Sequence, residues 1–435
     1  MNANPPQSSE RRASLLILGA AAFMVASDAR VIDPLLKTIA ADFHSPLTKA
    51  SLAVSAYALP YGLFQLAYGP LGDRIGKVRV MATAFFLFTL GTAACAFVPA
   101  GSAGLHMLVA LRFITGVFAA AIIPLSIAYI GDKFPPEKRQ ATLGKFMSAL
   151  MMGTVFSGPM GGVFGEYLGW RKIFLLLGGI STVVLVAYIQ AARAEQPPVR
   201  DPSKPPTPVL KGYGIVLANP NALVVYPAIF LEGFFLFGGF VYISSSLQDN
   251  FGMNILKAGI MIGFYGIGGL IYSFSAKKIL NRLKQREMAL LGGTLLMLGF
   301  VLAASLPFLH FWWPIIPAAL LIGFGFNSIH STLQTKATEL AVKARGTAVS
   351  LFAFFFFLGQ ALGVQGGGAL GLLAGVKGLD GALIPGYWLV FLTSGVGLFL
   401  MSLWVASRLP GMTQEKSEIP IGISAQPVLG AVAGK

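Results

Sequence analysis

Twelve long, mostly apolar runs dominate this chain, each close to the ~20 residues a helix needs to cross a hydrocarbon core. They lie near 14–38, 50–70, 80–98, 104–130, 142–166, 172–192, 222–248, 257–276, 288–307, 313–335, 346–372 and 385–407. Composition points the same way: 55% of the 435 residues are hydrophobic and 11% charged, against about 25% charged in a soluble globular protein. Too few polar side chains exist to cover a water-facing surface, so lipid is the bulk solvent for most of the chain. The opening "MNANPPQSSERR" leads into the first run without a cleavage pattern, which predicts a retained span rather than a removable signal peptide. Cys95 stands alone, so there is no disulfide framework and no cysteine-based metal site.

The proline-rich stretch "RAEQPPVRDPSKPPTPVLKGYG" (193–214) divides the runs six and six. This predicts a first bundle over 1–192, a cytoplasmic linker over 193–221, a second bundle over 222–409 and a disordered cytoplasmic tail over 410–435. An internal repeat is expected: Gly158, Gly161 and Gly162 in "SGPMGG" map onto Gly363, Gly366 and Gly367 in "LGVQGGG". The fold class is therefore all-α integral membrane, with twelve transmembrane helices in two pseudo-symmetric six-helix bundles around a central cavity.

The net charge of +15 could suggest nucleic acid, but its placement decides otherwise. The loops opposite the termini hold only Lys37, Lys49, Arg171, Lys172, Lys257 and Lys377, and Arg30 and Arg112 fall within spans. The rest of the 32 basic residues lie on the side of the termini. That bias places both termini in the cytoplasm, and the basic charge is topological.

Polar residues inside the spans mark the chemistry. Asp28, Arg30, Asp33, Arg112 and Glu232 are costly in lipid and by default face a cavity or a partner. Arg30 and Asp33, three apart, can pair near the outer mouth. That leaves Asp28 free to load and release a proton, as an acid in a low-dielectric cavity can, with Arg112 aiding release if within reach. Arg112 could instead snorkel to the outer interface. Glu232, in the repeat-mate of span 1, is a second candidate for proton coupling. Tyr57, Tyr61, Gln65 and Tyr68 form one polar stripe, and Asn327, His330, Ser331 and Gln334 another; either can line a substrate cavity or bridge helices. The Phe runs at 234–237 and 354–357 offer stacking surfaces or pack against lipid and helices.

Between spans 2 and 3, "GPLGDRIGKVR" (69–79) supplies Gly69, Gly72 and Gly76 for a tight turn, with Asp73, Arg74 and Lys77 as a latch that can break and re-form. In span 5, Gly158/Gly162 and Gly161/Gly165 allow close helix approach, and Pro159 bends the helix.

"GPLGDRIGK" resembles the signature loop of the major facilitator superfamily, "LRFITG" its span-4 motif, and "GPMGG" the span-5 motif of its proton-coupled exporters. "SDARVIDPLLKTIAADF" (27–43) resembles the first span of twelve-helix, arabinose-efflux-like drug:proton antiporters. Val78 departs from the loop's usual basic pair, and "SFSAKKILNRLKQRE" (273–287) lacks its Gly/Asp pattern. The resemblance implies a secondary exporter of a drug-like compound or metabolite in exchange for protons, by alternating access. A proton-symport or facilitated uptake permease and a non-transporting sensor are the competing readings. No nucleotide-binding loop, metal motif or hydrolase elbow is present, so no enzyme activity, cofactor or metal is expected and the proton gradient is the energy source. The expected partners are the lipid bilayer, protons and a small-molecule substrate, with no nucleic acid. The expected setting is the bacterial cytoplasmic membrane, and one chain suffices as a monomer.

Overall fold

The computed structural model describes residues 8–194, 209–309, 311–341, 344–373, 376–377, 383–384 and 386–412. Linker residues 195–208 and tail residues 413–435, both expected to lack packed structure, lie outside them.

The twelve runs form twelve helical spans. Span 1 is Ser8–Arg30 continued by Leu36–Asp42; span 2 Leu52–Ile75; span 3 Lys77–Ala94; span 4 Ser102–Ala119 continued by Ile122–Lys133; span 5 Pro136–Leu168; span 6 Trp170–Ala194. Span 7 is Ala222–Phe240 continued by Ile243–Phe251; span 8 Ile255–Leu280; span 9 Gln285–Leu309; span 10 Ile315–Glu339; span 11 Arg345–Leu373; span 12 Tyr387–Arg408. Eleven are long and apolar enough to cross a membrane. Span 2 matches them in length, with 24 residues, but its tyrosines, Gln65, Asp73 and Arg74 lower its hydropathy. Between spans 11 and 12, Val376–Lys377 pairs antiparallel with Leu383–Ile384.

Span 1, expected as one run, is broken after Arg30. Pro34 has no N–H for the Arg30 carbonyl and its ring crowds that oxygen, so the helix ends and resumes through a 3₁₀ turn at Asp33–Leu35. Pro124 stands in the same relation to Ala120, where span 4 breaks. Other prolines, Pro60, Pro70, Pro159, Pro227 and Pro307, are carried inside unbroken helices. Pro70 releases the Leu66 carbonyl, and the Tyr213 hydroxyl donates to it at 2.9 Å. Tyr213 sits on the short helix Val209–Leu217, inside the segment expected to be an unstructured linker. The apolar "VLKGYGIVL" that follows the last proline can coil and pack where the preceding residues cannot.

The two bundles repeat one set of neighbours. Spans 1·5, 2·4, 3·6 and 3·4 pack in the first, and their counterparts 7·11, 8·10, 9·12 and 9·10 in the second. The bundles meet along two related seams, spans 5·8 and 2·11. At the first, a Cβ on Gly259 would lie 2.6 Å from the Gly158 carbonyl oxygen and 2.8 Å from the Gly162 Cα, so these backbones touch. Gly161 and Gly165 face the other way, onto Val31, Pro34 and Leu35 at the break of span 1.

The contacts correct the glycine mapping by one residue. Gly153 and Gly161 sit on the Phe23 and Val31 carbonyls of span 1, while Gly359 and Gly367 sit on the Phe230 and Gly238 carbonyls of span 7. Gly161 therefore corresponds to Gly367 rather than Gly366. Gly158 faces span 8 whereas Gly363 faces span 7, so that expected pair is not equivalent. A short motif rich in glycine fits either register, and only the carbonyls beneath it distinguish them.

Polar contacts between the bundles gather at the end of the molecule away from the termini. There Lys37 pairs with Asp249, Gln248 Nε2 donates to the Pro34 carbonyl at 3.2 Å, and the Ile255 amide donates to Glu166 Oε2 at 3.1 Å. Tyr242 donates to Ser51 Oγ at 3.1 Å, Gln365 Nε2 to Ser55 Oγ at 3.0 Å, and Ser55 Oγ to the Ala361 carbonyl at 2.8 Å. Toward the termini, among the described residues, the seams carry the Ser273–Met151 contact at 3.6 Å and the bond from Tyr213. The central cavity is closed at the far end.

Candidate transport site

The first charged assembly lies inside the first bundle. Asp28 and Arg112 are both 0% exposed. Arg112 Nη1 donates to Asp28 Oδ2 at 2.6 Å and Nη2 to the Asp28 carbonyl at 3.0 Å, an oxygen left over where span 1 breaks. Thr92 of span 3 adds a long 3.4 Å bond to Oδ1. The guanidinium lies 4.3 Å from the Tyr57 ring centroid, and its Nε has no hydrogen-bond partner. One expectation is thereby corrected: Asp28 is not free but paired with Arg112. Of the two readings of Arg112, a buried partner holds and snorkelling does not. Its site several residues into span 4 puts the guanidinium level with the span-1 break, where a carboxylate and an unbonded carbonyl are both within reach.

The second assembly lies between the bundles. Arg30 has the expected local partner, with Nη1 3.8 Å from Asp33 Oδ2. It also crosses to the second bundle, donating from Nη2 to Gln360 Oε1 at 3.2 Å and lying 3.7 Å over the Phe237 ring. Opposite it, His330 Nδ1 is 3.0 Å from Glu232 Oε2. The imidazole is flanked by Phe326, Phe352 and Phe356, with centroids 4.8, 5.1 and 5.0 Å away. Tyr265 lies beside Phe240, the rings tilted with centroids 4.5 Å apart.

A sequence-family comparison matches residues 18–364 to the model described as Major Facilitator Superfamily. The chain belongs to this superfamily. Among its facilitator relatives is the Bacillus subtilis protein named Uncharacterized MFS-type transporter YceJ, 26% identical over 80% of this chain and 86% of that one. A shorter match joins 36% of this chain to 38% of the multi-drug resistance efflux pump PmrA of Streptococcus pneumoniae, at 31% identity. In fold the chain is similar to a crystal structure of a bacterial homologue of the human lysosomal transporter Spinster. That match has a TM-score of 0.71 at 19% identity, covering 92% of this chain and 96% of that one. The protein is thus a facilitator-type transporter integral to the membrane.

The remaining expected residues of this facilitator divide between the cavity and helix packing. The segment 69–79 is not a loop: span 2 runs helical to Ile75, carrying Gly69, Gly72, Asp73 and Arg74, and the turn is confined to Gly76 at φ 107°. Gly72 packs beneath Leu125 of span 4. The latch centres on Lys77, which reaches Asp73 at 3.0 Å and Asp132 of span 4 at 2.7 Å, while Arg74 joins no ion pair among the described residues. The turn at Gly76 folds Lys77, at the start of span 3, back onto Asp73 and toward span 4, while Arg74 is exposed. Tyr57, Tyr61, Gln65 and Tyr68 are all buried. Tyr57 lies beneath Arg112 and Tyr61 meets Phe357 of span 11 at 4.5 Å, so the stripe bridges helices. Asn327 bonds its own helix at the Gly323 carbonyl at 2.9 Å and packs on Gly269 of span 8, whereas His330 faces the cavity. Pro159 packs against Gly263 of span 8.

Sequence reasoning missed Gln360, Thr92, Tyr265 and Asp132. Gln360 is a lone polar residue in "FAFFFFLGQALG", and Asp132 stands in "GDK", an echo of the "GDR" at 72–74. Both signals were legible.

Proposed function

We propose that this facilitator exports a small organic compound in exchange for protons, with the cavity open alternately to either side of the membrane. The observation that carries the reading is the Asp28–Arg112 pair, an acid and a fixed cation sealed together beside the break in span 1. Arg112 cannot be deprotonated, so protonation of Asp28 leaves a cation without its counter-charge. The guanidinium must then shift, and the span-1 break that bears Arg30, Asp33 and Lys37 is coupled to it through the Asp28 carbonyl. A proton arriving at Asp28 thus biases the same segment that holds the far end shut. Closure at that end, with fewer polar ties toward the termini, suits a state open toward the termini.

The excess of Lys and Arg on that side supports cytoplasmic termini, and with bacterial relatives the reading places the protein in a cytoplasmic membrane. PmrA, named as an efflux pump, supports the outward direction. The proton gradient supplies the energy without a cofactor, and one chain completes the cavity.

The test uses inside-out vesicles holding a pH gradient, read by a quenched pH-sensitive dye as compounds are added one at a time. Substrate-evoked proton release that disappears in Asp28→Asn is the expected result. A wild-type response that persists in Asp28→Asn removes the proton role from this acid, and silence across a broad panel removes antiport.

A further inference from the structure

The two bundles hold one plan in different chemistry. In the first, an acid of span 1 meets a base of span 4, Asp28 with Arg112. In the second, the corresponding spans 7 and 10 bring Glu232 Oε2 within 3.0 Å of His330 Nδ1. Arg112 keeps its proton at any relevant pH, so the first pair changes state only at its acid. An imidazole gains and loses a proton at either nitrogen, so the second pair can change state at both partners.

Access to the second pair is one-sided. Glu232 is 0% exposed, and its Oε1 is sealed without a hydrogen-bond partner. Span 11 presses on span 7 beside it: a Cβ on Gly233 would lie 2.2 Å from the Phe356 carbonyl oxygen. Among the described residues its carboxyl bonds only to His330. The imidazole is 23% exposed, and its Nε2, which makes no hydrogen bond among the described residues, is open to solvent where Glu232 Oε1 is not. One turn on, the exposed Gln334 continues the same face of span 10 toward the terminal side, where the bundles have few ties. A polar face of this kind is costly in lipid, so it opens to water. Of the other titratable groups packed around Glu232, Tyr265 of span 8 acts on it through its field, as it does on Arg30 and Asp33, while spans 11 and 12 present none to it.

This arrangement can pass a proton inward without moving a helix. A carboxylate sealed with an unbonded oxygen is costly, and a proton on it removes the cost. With Glu232 ionised, His330 carries its proton on Nδ1 and donates to Oε2. A proton arriving from water bonds to the Nε2 lone pair, and the Nδ1–H bond breaks as that proton passes to Oε2. The product is a neutral acid donating back to Nδ1 and a neutral imidazole with its proton on Nε2. One proton has been taken up and no net charge remains in the sealed site; reversal returns the proton to water.

We propose that Glu232 and His330 form a second proton-binding site, separate from Asp28, with His330 Nε2 as its entry and Glu232 as its store. The site is argued from the second bundle alone; its use in the exchange cycle rests on the transport reading above.

The test reads the ring itself. His44→Asn, His106→Gln and His310→Gln leave His330 as the only histidine of the full-length chain, and ring-nitrogen NMR on the histidine-labelled protein in nanodiscs then reports its tautomer. Asparagine suits position 44, where φ is 49°. On acidification the ring should pass from Nδ1–H to Nε2–H while staying neutral. Glu232→Gln should abolish that exchange, so that the ring goes straight to imidazolium. Infrared difference spectra should show a carboxyl becoming protonated in step with the exchange, which keeps the inference testable where Glu232→Gln does not fold. A ring that holds one tautomer throughout, as a purely structural hydrogen bond would make it, overturns the inference. So does a ring that becomes imidazolium with no neutral exchange, an exchange with no carboxyl protonated in step, or an exchange that persists in folded Glu232→Gln. The exchange needs neither Asp28 nor a substrate and should survive in Asp28→Asn. Exchange without substrate-evoked proton release refutes antiport and leaves this site standing; Asp28-dependent release without exchange does the reverse.

Discussion

Removing one member of the Asp28–Arg112 pair should cost far more than removing both. Each side chain is fully buried, and Arg112 gives Asp28 two of the three side-chain hydrogen bonds made to that residue. Arg112→Met leaves a carboxylate with only the 3.4 Å contact from Thr92. Asp28→Leu leaves a guanidinium with the Tyr57 face, worth about 1 kcal/mol, and one carbonyl. Breaking a buried pair in this way costs about 3–5 kcal/mol, whereas replacing both partners with apolar groups of similar volume is often neutral or stabilising by about 1–4 kcal/mol. The expected order of stability therefore puts the double variant Asp28→Leu/Arg112→Met at or above wild type and both single variants well below it. Reversible unfolding in mixed micelles titrated with SDS measures this directly, and a double-mutant cycle isolates the coupling. The double variant should fold and still evoke no proton movement in vesicles, which separates the pair's role in transport from its role in folding. Single variants within about 1 kcal/mol of wild type, or a double variant costing the sum of the two, would refute the argument that the pair is held for function at a cost in stability.

Four further outcomes are expected. Gly259→Leu, placed where a Cβ already lies 2.6 Å from the Gly158 oxygen, should leave a folded protein that loses transport, read by comparing substrate flux with the melting profile. Lys77→Ala breaks contacts to Asp73 and Asp132, whose side chains are largely solvent-exposed, so its cost should be below about 1 kcal/mol and shrink further with added salt. Lys37→Asp should loosen the far end and Asp249→Lys in the same chain should restore it, as read by labelling of a cysteine placed in the cavity. Tyr213→Phe strips the donor from the Leu66 carbonyl and should cost about 1 kcal/mol, with faster proteolysis of the linker.

The sequence made the architecture legible because lipid leaves a long apolar run few options. The same reasoning singled out Asp28, Arg30, Asp33, Arg112 and Glu232, which the structure holds in ion pairs within the spans, since charges there are too costly to be incidental. Which charge meets which was not legible. Spacing along one helix pairs Arg30 with Asp33, but it is silent on Arg112, 84 residues from Asp28, and on Gln360, 330 residues from Arg30. Helix breaks add to this. Spacing arguments along span 1 assume a continuous helix, and the Pro34 break falls between Asp28 and Asp33. The prolines of spans 2 and 5 carry the same local signal as Pro34 but leave their helices whole, and for Pro70 the partner of the freed carbonyl is the distant Tyr213.

The exchange cycle proposed here places different demands on the two kinds of inter-bundle contact. The seams of spans 5·8 and 2·11 are built on backbone approach, with Gly162 against Gly259 and Gly62 against Phe357. Away from the far-end bonds already described, such backbone contact has few directional bonds to break and can rock with little change in energy. The far-end contacts are the opposite: Lys37–Asp249, Gln248–Pro34, Glu166–Ile255 and Tyr242–Ser51 are directional and must all part for that end to open. Opening there also pulls on Arg30, since its Gln360 bond crosses the same gap. Arg30 therefore sits at the joint between the two bundles. Substrate and proton need not share a site: the broken helix of span 1 carries Asp28 at one side of its break and Asp33 at the other, so movement of that one segment links them.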